Sequence, residues 1–328
     1  MPDEHSDDFV HEPVMVDEVL EALRPVPAGI HVDATVGGGG HAAALLADRP
    51  VAHLVGIDRD PRALAAARRR LAPHADRVTL IRAPYDRLAD EVGGVARRLA
   101  LPVTSVLFDL GVSSPQLDHP ERGFSYRHRG PLDMRMDPDS SLTAGEIVNT
   151  WDARAIADLL RRHADERFAG RIARAIVAHR PITDTVELAE IVRDAIPAPA
   201  RRRGGHPARR TFQALRIAVN DELTILDRAL EQALDLLAPQ GRCVVLAYHS
   251  GEDRIVKRRF RDAAGEAPPP RPGLPPPPGT VPVVRHVWRG ARTPSRAEVE
   301  RNRRAEAARL RAVEKLGSGG ATPDRGSS

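Results

Sequence analysis

Three aspartates stand at the ends of short apolar runs of the chain. Asp33 precedes the glycine cluster 37–40 and His41. Asp58 ends the next apolar run, and Asp109 ends a later one. A glycine-rich turn between a strand and a helix lets backbone amides approach a ligand, and a carboxylate after the second strand can accept both hydroxyls of an adenosine ribose. The pattern therefore predicts a site for a nucleoside cofactor.

The acidic residue in front of the glycines distinguishes between two kinds of cofactor. Dinucleotide-binding folds use the helix end for a pyrophosphate and usually have no acid there. Enzymes that use S-adenosylmethionine place an acid at this point, facing a cofactor with an amine and a sulfonium. Asp33 therefore favours S-adenosylmethionine. A nicotinamide-dependent oxidoreductase remains the alternative, although the glycine cluster is not followed by the last glycine of the usual Gly-x-Gly-x-x-Gly motif.

The residues near these motifs indicate which chemical group of a substrate would accept the methyl group. Cys243, the only cysteine, lies inside an apolar run, so we expect a buried strand residue rather than the nucleophile that ring-carbon methylation needs. Ribose methylation commonly uses lysines, and neither Lys257 nor Lys315 is near the cofactor motifs in sequence. An exocyclic amine remains. Asp109 is the predicted catalytic residue, which would accept a hydrogen bond from this amine. The predicted transfer requires no metal.

The spacing of apolar residues predicts the elements that position these side chains. In the first third of the chain strands and helices alternate, which indicates a parallel sheet covered by helices. The predicted strands are 30–34, 52–57, 78–82 and 103–110, with helices over 42–47 and 62–71.

The pattern changes after position 111. Residues 115–135 are predicted to form a long loop, and the spacing is helical from 143 to 237. The predicted helices are 143–149, 152–161, 166–179, 185–195 and 211–237. A β-rich run at 241–248, a basic helix over 252–261, a proline-rich connector at 268–279 and a strand candidate at 281–289 follow.

Composition excludes several classes of protein. The 328 residues are 41 % hydrophobic and 29 % charged, which fits a soluble globular protein. No apolar run approaches a membrane span and the acidic start lacks a signal peptide, so we expect no membrane association and a cytoplasmic location. Residues 251–328 carry 17 basic and 9 acidic side chains. Such a basic region permits a nucleic-acid partner, although 47 arginines also fit a GC-rich genome.

Longer motifs extend from residue 11 to about residue 315. They are HEPVM at 11–15, DLGVSSPQLD at 109–118, ERGFS at 121–125, GPLDMRMD at 130–137, RTFQALRIAVN at 210–220 and HSGEDRIVK at 249–257. Together they resemble the bacterial 16S ribosomal RNA cytosine-N4 methyltransferase family, known as RsmH or MraW. Residues 302–306 read Asn-Arg-Arg-Ala-Glu where the family pattern is Asn-Pro-Arg-Ala-Arg, which leaves a prolonged helix over 309–314 open as an alternative to a last strand.

The resemblance implies an α/β fold, a class I (Rossmann-like) methyltransferase sheet with an inserted all-helical domain. The implied organisation is a methyltransferase domain in two parts, 1–114 and 238–316, a helical substrate-recognition insertion at 115–237, and a disordered tail at 317–328. The implied activity is S-adenosylmethionine-dependent methylation of a cytosine N4 amine in the decoding region of 16S ribosomal RNA. The implied partner is 16S ribosomal RNA within the small ribosomal subunit, and a homodimer is a further expectation. A non-catalytic RNA-binding assembly factor remains a second alternative.

The resemblance also implies, by position, which residues line the cofactor pocket. They are Asp33, Gly39, Gly40, His41, Asp58, Tyr85, Asp109 and Gln116. The glycine amides would lie near the methionine carboxylate, Asp58 on the ribose and Tyr85 beside the adenine. Asp109 and Gln116 would lie near the methionine or the acceptor.

Candidate substrate contacts are less specific. They are Tyr248, His249, Ser250, Arg202, Arg210 and Lys257. For His249 and Ser250, hydrogen bonding within the loop is the alternative to contact with the substrate. Amino-methylating enzymes often stack the base on a Pro-Pro-aromatic turn, but residues 110–112 read Leu-Gly-Val. The stacking residue is therefore unidentified, with Phe124, Tyr126 and Tyr248 as candidates and a core role open for each.

Overall fold

A computed structural model describes residues 13–48, 52–201, 205–266 and 281–317. These residues form two compact units. The sheet unit contains the described residues of 13–111 and 225–317, and the helical unit contains the described residues of 112–224. The predicted proline-rich connector and disordered tail lie outside the described residues, apart from residue 317.

The sheet unit is built on a seven-stranded sheet. Its strands are β1 (Ile30–Asp33), β2 (His53–Asp58), β3 (Val78–Arg82), β4 (Val103–Asp109), β5 (Leu237–Ala247), β6 (Val284–His286) and β7 (Arg309–Lys315). Their order is β3-β2-β1-β4-β5-β7-β6, with β1 to β5 parallel and β7 antiparallel to both neighbours. The predicted α/β fold with a Rossmann-like sheet is confirmed.

One helix precedes β1, and three helices connect the first four strands. They are α1 (Val16–Leu23), α2 (Gly40–Asp48), α3 (Pro61–Leu71) and α4 (Leu88–Leu99). Helix α3 begins where the sequence predicts, because Asp60 accepts a hydrogen bond from the backbone N–H of Arg62 and Pro61 occupies the first turn. The sequence pattern did not predict α1 or α4. Both helices are short and amphipathic, and their apolar faces pack on the sheet.

The helical unit has its own apolar core. Its helices are α5 (Ser114–Asp118), α6 (Ala144–Thr150), α7 (Ala153–Ala164), α8 (Ala169–Ala178), α9 (Thr185–Ala195), α10 (Ala198–Arg201) and α11 (Arg209–Asn220). Thr143, Asp152 and Asp184 cap α6, α7 and α9 through side-chain oxygens, which explains why these starts were readable from sequence.

The predicted single helix over 211–237 is wrong. The chain forms α11 and then α12 (Glu222–Leu236), separated by Asp221 in the left-handed conformation at φ 48°. The break follows from a long-range contact, because the Asn220 side chain donates to the Met134 carbonyl and accepts from the Met136 N–H, each at 2.8 Å. The division between the two units falls at Thr224, inside α12, rather than at 237.

The remaining elements complete the sheet unit. They are α13 (Ser250–Ala263), α14 (Arg296–Arg301) and strands β6 and β7. The segment 309–314 belongs to β7, so the helical alternative is wrong. Leu310 and Val313 are buried against β5, while Glu314 pairs with Arg242 and Arg285. Paired charges thus occupy a strand whose composition suggested a helix.

Side chains alternate between two apolar clusters on the faces of the sheet. On β4, Val106 and Phe108 belong to one cluster, and Leu107 belongs to the other. Cys243 on β5 is fully buried, and burial raises the pKa of its thiol far above the ordinary value. The prediction of a buried strand cysteine is confirmed. Among the described residues, no helix combines the length and apolar character that a membrane crossing requires.

Candidate active site

The glycine loop joins β1 to α2 at the carboxyl edge of the sheet. Gly37 and Gly39 have φ angles of 51° and 78°, a region that side chains with a Cβ rarely adopt. The Gly37 N–H donates to Oδ2 of Asp58 at 3.0 Å, and the Gly39 N–H donates to the Val36 carbonyl at 2.7 Å. The loop is therefore held in a shape that depends on glycine, directly before the amino end of a helix.

Asp33 ends β1 in a buried position. It is 5 % exposed, and its Oδ1 accepts a hydrogen bond from the Thr35 N–H at 3.2 Å. Burial raises the pKa of Asp33 to about 7, the interaction with His41 and the hydrogen bond from the Thr35 N–H oppose this shift, and the nearby Asp109 and Asp58 carboxylates add to it. A cationic group beside Asp33 would favour its ionised form.

Asp58 ends β2, one strand further along the edge. Its Oδ2 accepts from the Gly37 N–H and its Oδ1 accepts from the Asp60 N–H at 2.8 Å. Burial raises the pKa of this carboxyl to about 6, and the two backbone hydrogen bonds limit the shift. A carboxylate offers about four lone pairs, so Asp58 can hold both loops and still accept from a ligand hydroxyl.

Asp109 ends β4, and three groups hold it. Its N–H donates to Oγ1 of Thr35 at 2.7 Å, and its Oδ1 accepts from the Tyr248 hydroxyl at 2.6 Å. Nδ1 of His41 lies 3.4 Å from its Oδ2. The Asp109 side chain is 23 % exposed, so the carboxylate is fixed while part of it remains accessible.

His41 is a buried residue at the start of α2. It is 7 % exposed, and its Nε2 lies 2.9 Å from the Val14 carbonyl oxygen. A carbonyl only accepts, so Nε2 carries the proton of that hydrogen bond. The ring therefore presents Nδ1 to Asp109.

Tyr248 follows β5, and its ring lies beside Gly111. Burial and the Asp109 carboxylate both raise the pKa of Tyr248 well above 10, so its hydroxyl remains a donor. Gly111 has φ 93°, and a Cβ there would lie 3.3 Å from Cδ2 of Tyr248. Glycine at this position therefore permits the bend after β4 and leaves room for the ring.

His249 and Ser250 begin α13. Nδ1 of His249 accepts from the N–H groups of Gly251 and Glu252, at 3.2 and 3.4 Å. The Glu252 carboxylate accepts in return from the N–H groups of Tyr248 and His249, at 2.8 and 3.2 Å. This reciprocal capping gives His249 the loop-bonding role of the two left open. Ser250 is exposed at the start of the helix.

Tyr85 lies after β3 on the far side of the glycine loop. Its ring packs edge-to-face on Phe108 with centroids 5.9 Å apart, and the Arg59 guanidinium lies 5.7 Å from the Tyr85 centroid. Tyr85 is half-buried, so one part of the ring packs on the core and another part remains accessible.

Four further predicted site residues belong to other parts of the chain. Gln116 and Arg210 belong to the helical unit, where Oε1 of Gln116 accepts from the Ser113 N–H at 3.1 Å and Arg210 is exposed on α11. Arg202 lies outside the described residues. Lys257 is exposed on α13.

Two of the stacking candidates also lie in the helical unit. Phe124 is buried in its core, and Tyr126 packs against that core. The roles of Thr35 and Glu252 were not predicted from sequence. An acid three residues after His249 was a signal for capping, because a side chain at that spacing can reach back to the first N–H of the helix.

Comparison with known proteins agrees with this geometry. Residues 8–316 match the model of the MraW methylase family. Curated relatives named ribosomal RNA small subunit methyltransferase H include one from Mycolicibacterium smegmatis, 53 % identical over 95 % of this chain and 86 % of the relative. Another, from Acidothermus cellulolyticus, is 54 % identical over 94 % of each chain. A third, from Thermobifida fusca, is 53 % identical over 93 % of each. The chain therefore belongs to the MraW methylase family.

Proposed function

We propose that this protein transfers a methyl group from S-adenosylmethionine to the N4 amine of a cytosine in the decoding region of 16S ribosomal RNA. The observation that carries the proposal is Asp109 beside the glycine loop, whose carboxylate accepts from the Tyr248 hydroxyl and whose backbone N–H donates to Thr35. The curated relatives are named small-subunit ribosomal RNA methyltransferases, which supports the substrate class. Family membership argues against the nicotinamide-dependent oxidoreductase.

The residues at the edge of the sheet fit S-adenosylmethionine. Gly39 and Gly40 would present backbone amides to the carboxylate of the cofactor, and Asp58 would accept from its ribose. Asp33 is buried, with a pKa raised to about 7, so a neighbouring positive charge suits it. The half-buried Tyr85 would contact the adenine. When bound, the cofactor supplies a methyl group activated by a sulfonium.

Asp109 would act on the acceptor. An amine conjugated to a base ring is a poor nucleophile, and a hydrogen bond from that amine to a carboxylate localises its lone pair. The carboxylate also offsets the positive charge that develops on nitrogen. Tyr248 is a positioning residue here, because its hydroxyl fixes Oδ1 of Asp109. Fixed geometry supplies part of the rate by itself.

His41 would position the second oxygen and help to hold the released proton. Its Nε2–H donates to the Val14 carbonyl, which leaves Nδ1 facing Oδ2 of Asp109 at 3.4 Å. The lone pair on Nδ1 and the carboxylate oxygen face each other, so one proton added between them would be held by both. The amine loses one proton on methylation, and Asp109 with His41 forms a place to receive it.

The same proposal covers the partner and the location. The substrate is 16S ribosomal RNA, presented in the small ribosomal subunit, and the reaction takes place in the cytoplasm. A homodimer is included in the proposal, and light scattering on the purified protein tests it. A non-catalytic assembly factor would bind the same RNA without transferring a methyl group.

Labelled methyl transfer tests the proposal directly. The purified protein is incubated with labelled S-adenosylmethionine and with small subunits that lack the modification, and the labelled nucleoside is identified by mass spectrometry. We expect label on the cytosine N4 amine, and none with Asp109→Ala. Tight cofactor binding without transfer to subunits or to naked 16S RNA would favour the assembly factor. Label on a carbon or a ribose would contradict the proposed acceptor.

A further inference from the structure

The helical unit carries a stacked aromatic pair at its surface. The rings of Tyr126 and His206 are 4.4 Å apart between centroids and tilted by 14°. Tyr126 also meets Phe212 edge-to-face, with centroids 5.5 Å apart. Phe212 is buried, Tyr126 is half-buried and His206 is exposed. The stack therefore begins in the core of the unit and ends in solvent.

The backbone fixes the orientation of the outer ring. Nδ1 of His206 accepts a hydrogen bond from the Ala208 N–H at 3.2 Å. Partial burial lowers the pKa of His206, and the charges of Arg127 and Arg193 lower it further. The imidazole is thus held neutral at pH 7, with its proton on Nε2.

The charges around the stack are predominantly positive. Arg127, Arg193 and Arg209 are all exposed, and the Arg209 side chain lies within 4.0 Å of where a Cβ on Gly205 would be. Arg193 pairs with the exposed Asp194, whereas no acidic partner is recorded for the Arg127 or Arg209 side chains among the described residues. A flat aromatic surface beside exposed guanidinium groups suits a ligand with a planar ring and an anionic backbone.

We propose that Tyr126 and His206, with the arginines beside them, form a stacking site for an unpaired nucleobase of the RNA substrate. The inference rests on the proposed function, which makes RNA the substrate. Proteins recognise unpaired RNA by stacking its bases on aromatic side chains, and arginines beside the stack contact the phosphates. The base adds a further ring to a stack that the chain has already ordered. An acidic peptide would use the arginines but not the rings.

Binding of short RNAs by the full-length protein tests the site. The probes are a fluorescein-labelled single-stranded RNA of about twelve nucleotides, the same strand in a duplex, and an abasic strand of equal length. We expect the single strand to bind about tenfold more tightly than the abasic strand, because the stacking contribution requires a base. The duplex offers phosphates without unstacked bases, so it should bind like the abasic strand.

Variants separate the rings from the charges. His206→Ala should weaken single-strand binding about tenfold and leave abasic binding unchanged, whereas His206→Phe should restore it. The matched control is His179→Ala, an exposed histidine of the same unit. Arg127→Gln with Arg209→Gln should reduce the slope of log Kd against log salt by about 0.7 for each phosphate contact that is lost.

The outcomes distinguish this inference from the proposed function. If His206→Ala binds the single strand as tightly as His179→Ala does, the stacking site is wrong, even when methyl transfer is normal. Equal binding of the intact and abasic strands would also overturn it and would leave a purely electrostatic surface. Base-dependent binding in a protein that transfers no methyl group would support the stacking site and contradict the proposed activity.

Discussion

The carboxylates at the two ends of the candidate active site are held in different ways. At the proposed cofactor end, Asp58 receives backbone N–H groups on both oxygens, from Gly37 and from Asp60. At the proposed acceptor end, side chains face both oxygens of Asp109: the Tyr248 hydroxyl donates to Oδ1, and His41 lies opposite Oδ2. Both residues end parallel strands of one sheet. The difference lies in the groups that neighbouring segments of the chain bring to each carboxylate.

This difference indicates that Asp58 supports the structure of the site, whereas Asp109 acts in the reaction. A carboxylate that accepts from the backbone organises the loops around it, so its loss changes the shape of the cofactor site. A carboxylate that side chains hold can lose one partner while the backbone stays in place. We therefore expect substitutions at Asp58 to affect binding and stability, and substitutions around Asp109 to affect the rate of transfer.

The largest expected effect follows from Asp109→Asn. The amide is similar in size but carries no negative charge to offset the charge that develops on the amine nitrogen. We expect kcat to fall about a thousandfold, in the range found when one group that stabilises a transition-state charge is removed. Single-turnover transfer to small subunits measures the rate, and calorimetry measures cofactor affinity, which should change less than about threefold. A kcat within tenfold of the unaltered protein would remove Asp109 from the reaction.

A smaller effect, on binding, is expected from Asp58→Asn. An amide offers one oxygen to two backbone N–H groups, so its NH2 group faces one of these donors. We expect the Kd for S-adenosylmethionine to rise about fiftyfold, the range for a lost hydrogen bond to a charged group, and Tm to fall. Asp60→Asn is the matched control, because its amide oxygen can still cap α3. An unchanged Kd with Asp58→Asn would contradict the assignment of Asp58 to the cofactor.

The cofactor end could be predicted from sequence because its causes are local. Positive φ angles require glycine at Gly37 and Gly39, and parallel strands bring Asp33 and Asp58 to one edge. The strands β3 and β4 and helix α9 were likewise readable from apolar spacing and from caps within a few residues. The family motifs supplied the expected activity and the other residues of the cofactor pocket.

The acceptor end could not be predicted in the same way. Tyr248 and Asp109 are 139 residues apart, and their contact depends on the register that places Asp109 opposite Leu246. No local pattern states that register. The break at Asp221 has the same origin, because it depends on a contact between Asn220 and the distant Met134. Long-range pairing therefore explains both the unpredicted role of Tyr248 and the wrong single helix.

The buried Asp33 carboxyl should make cofactor binding depend on pH. Burial raises the pKa of Asp33 to about 7, above its value in an unfolded chain. The folded protein then binds more protons than the unfolded chain between about pH 4 and pH 7, so the stability that Asp33 contributes is lost as the pH rises through 7. A cationic cofactor favours the ionised carboxylate, so its affinity should increase over the same interval.

Calorimetry at several pH values measures this linkage. Between pH 5.5 and 7.5 we expect the ionisation of Asp33 alone to tighten S-adenosylmethionine binding about twentyfold, and binding near pH 6.5 should release a proton. Titration in two buffers of different ionisation enthalpy counts that proton. In Asp33→Asn, only the weaker dependence from Asp58, with its pKa of about 6, should remain. Affinity that is flat with pH in the unaltered protein would contradict the cationic partner of Asp33.

The smallest expected effect tests whether side chains alone hold Asp109. Tyr248→Phe removes the hydroxyl that donates to Oδ1 at 2.6 Å but keeps the ring beside Gly111. Water can reach a carboxylate that is 23 % exposed and can replace part of the lost hydrogen bond, so we expect kcat to fall about fivefold. KM, cofactor affinity and Tm should stay the same, because the backbone around Asp109 still has Thr35 and the β4 pairing. A fall in Tm with a rise in the cofactor Kd would mean that Tyr248 supports the fold of this edge, and the two ends would then be held alike.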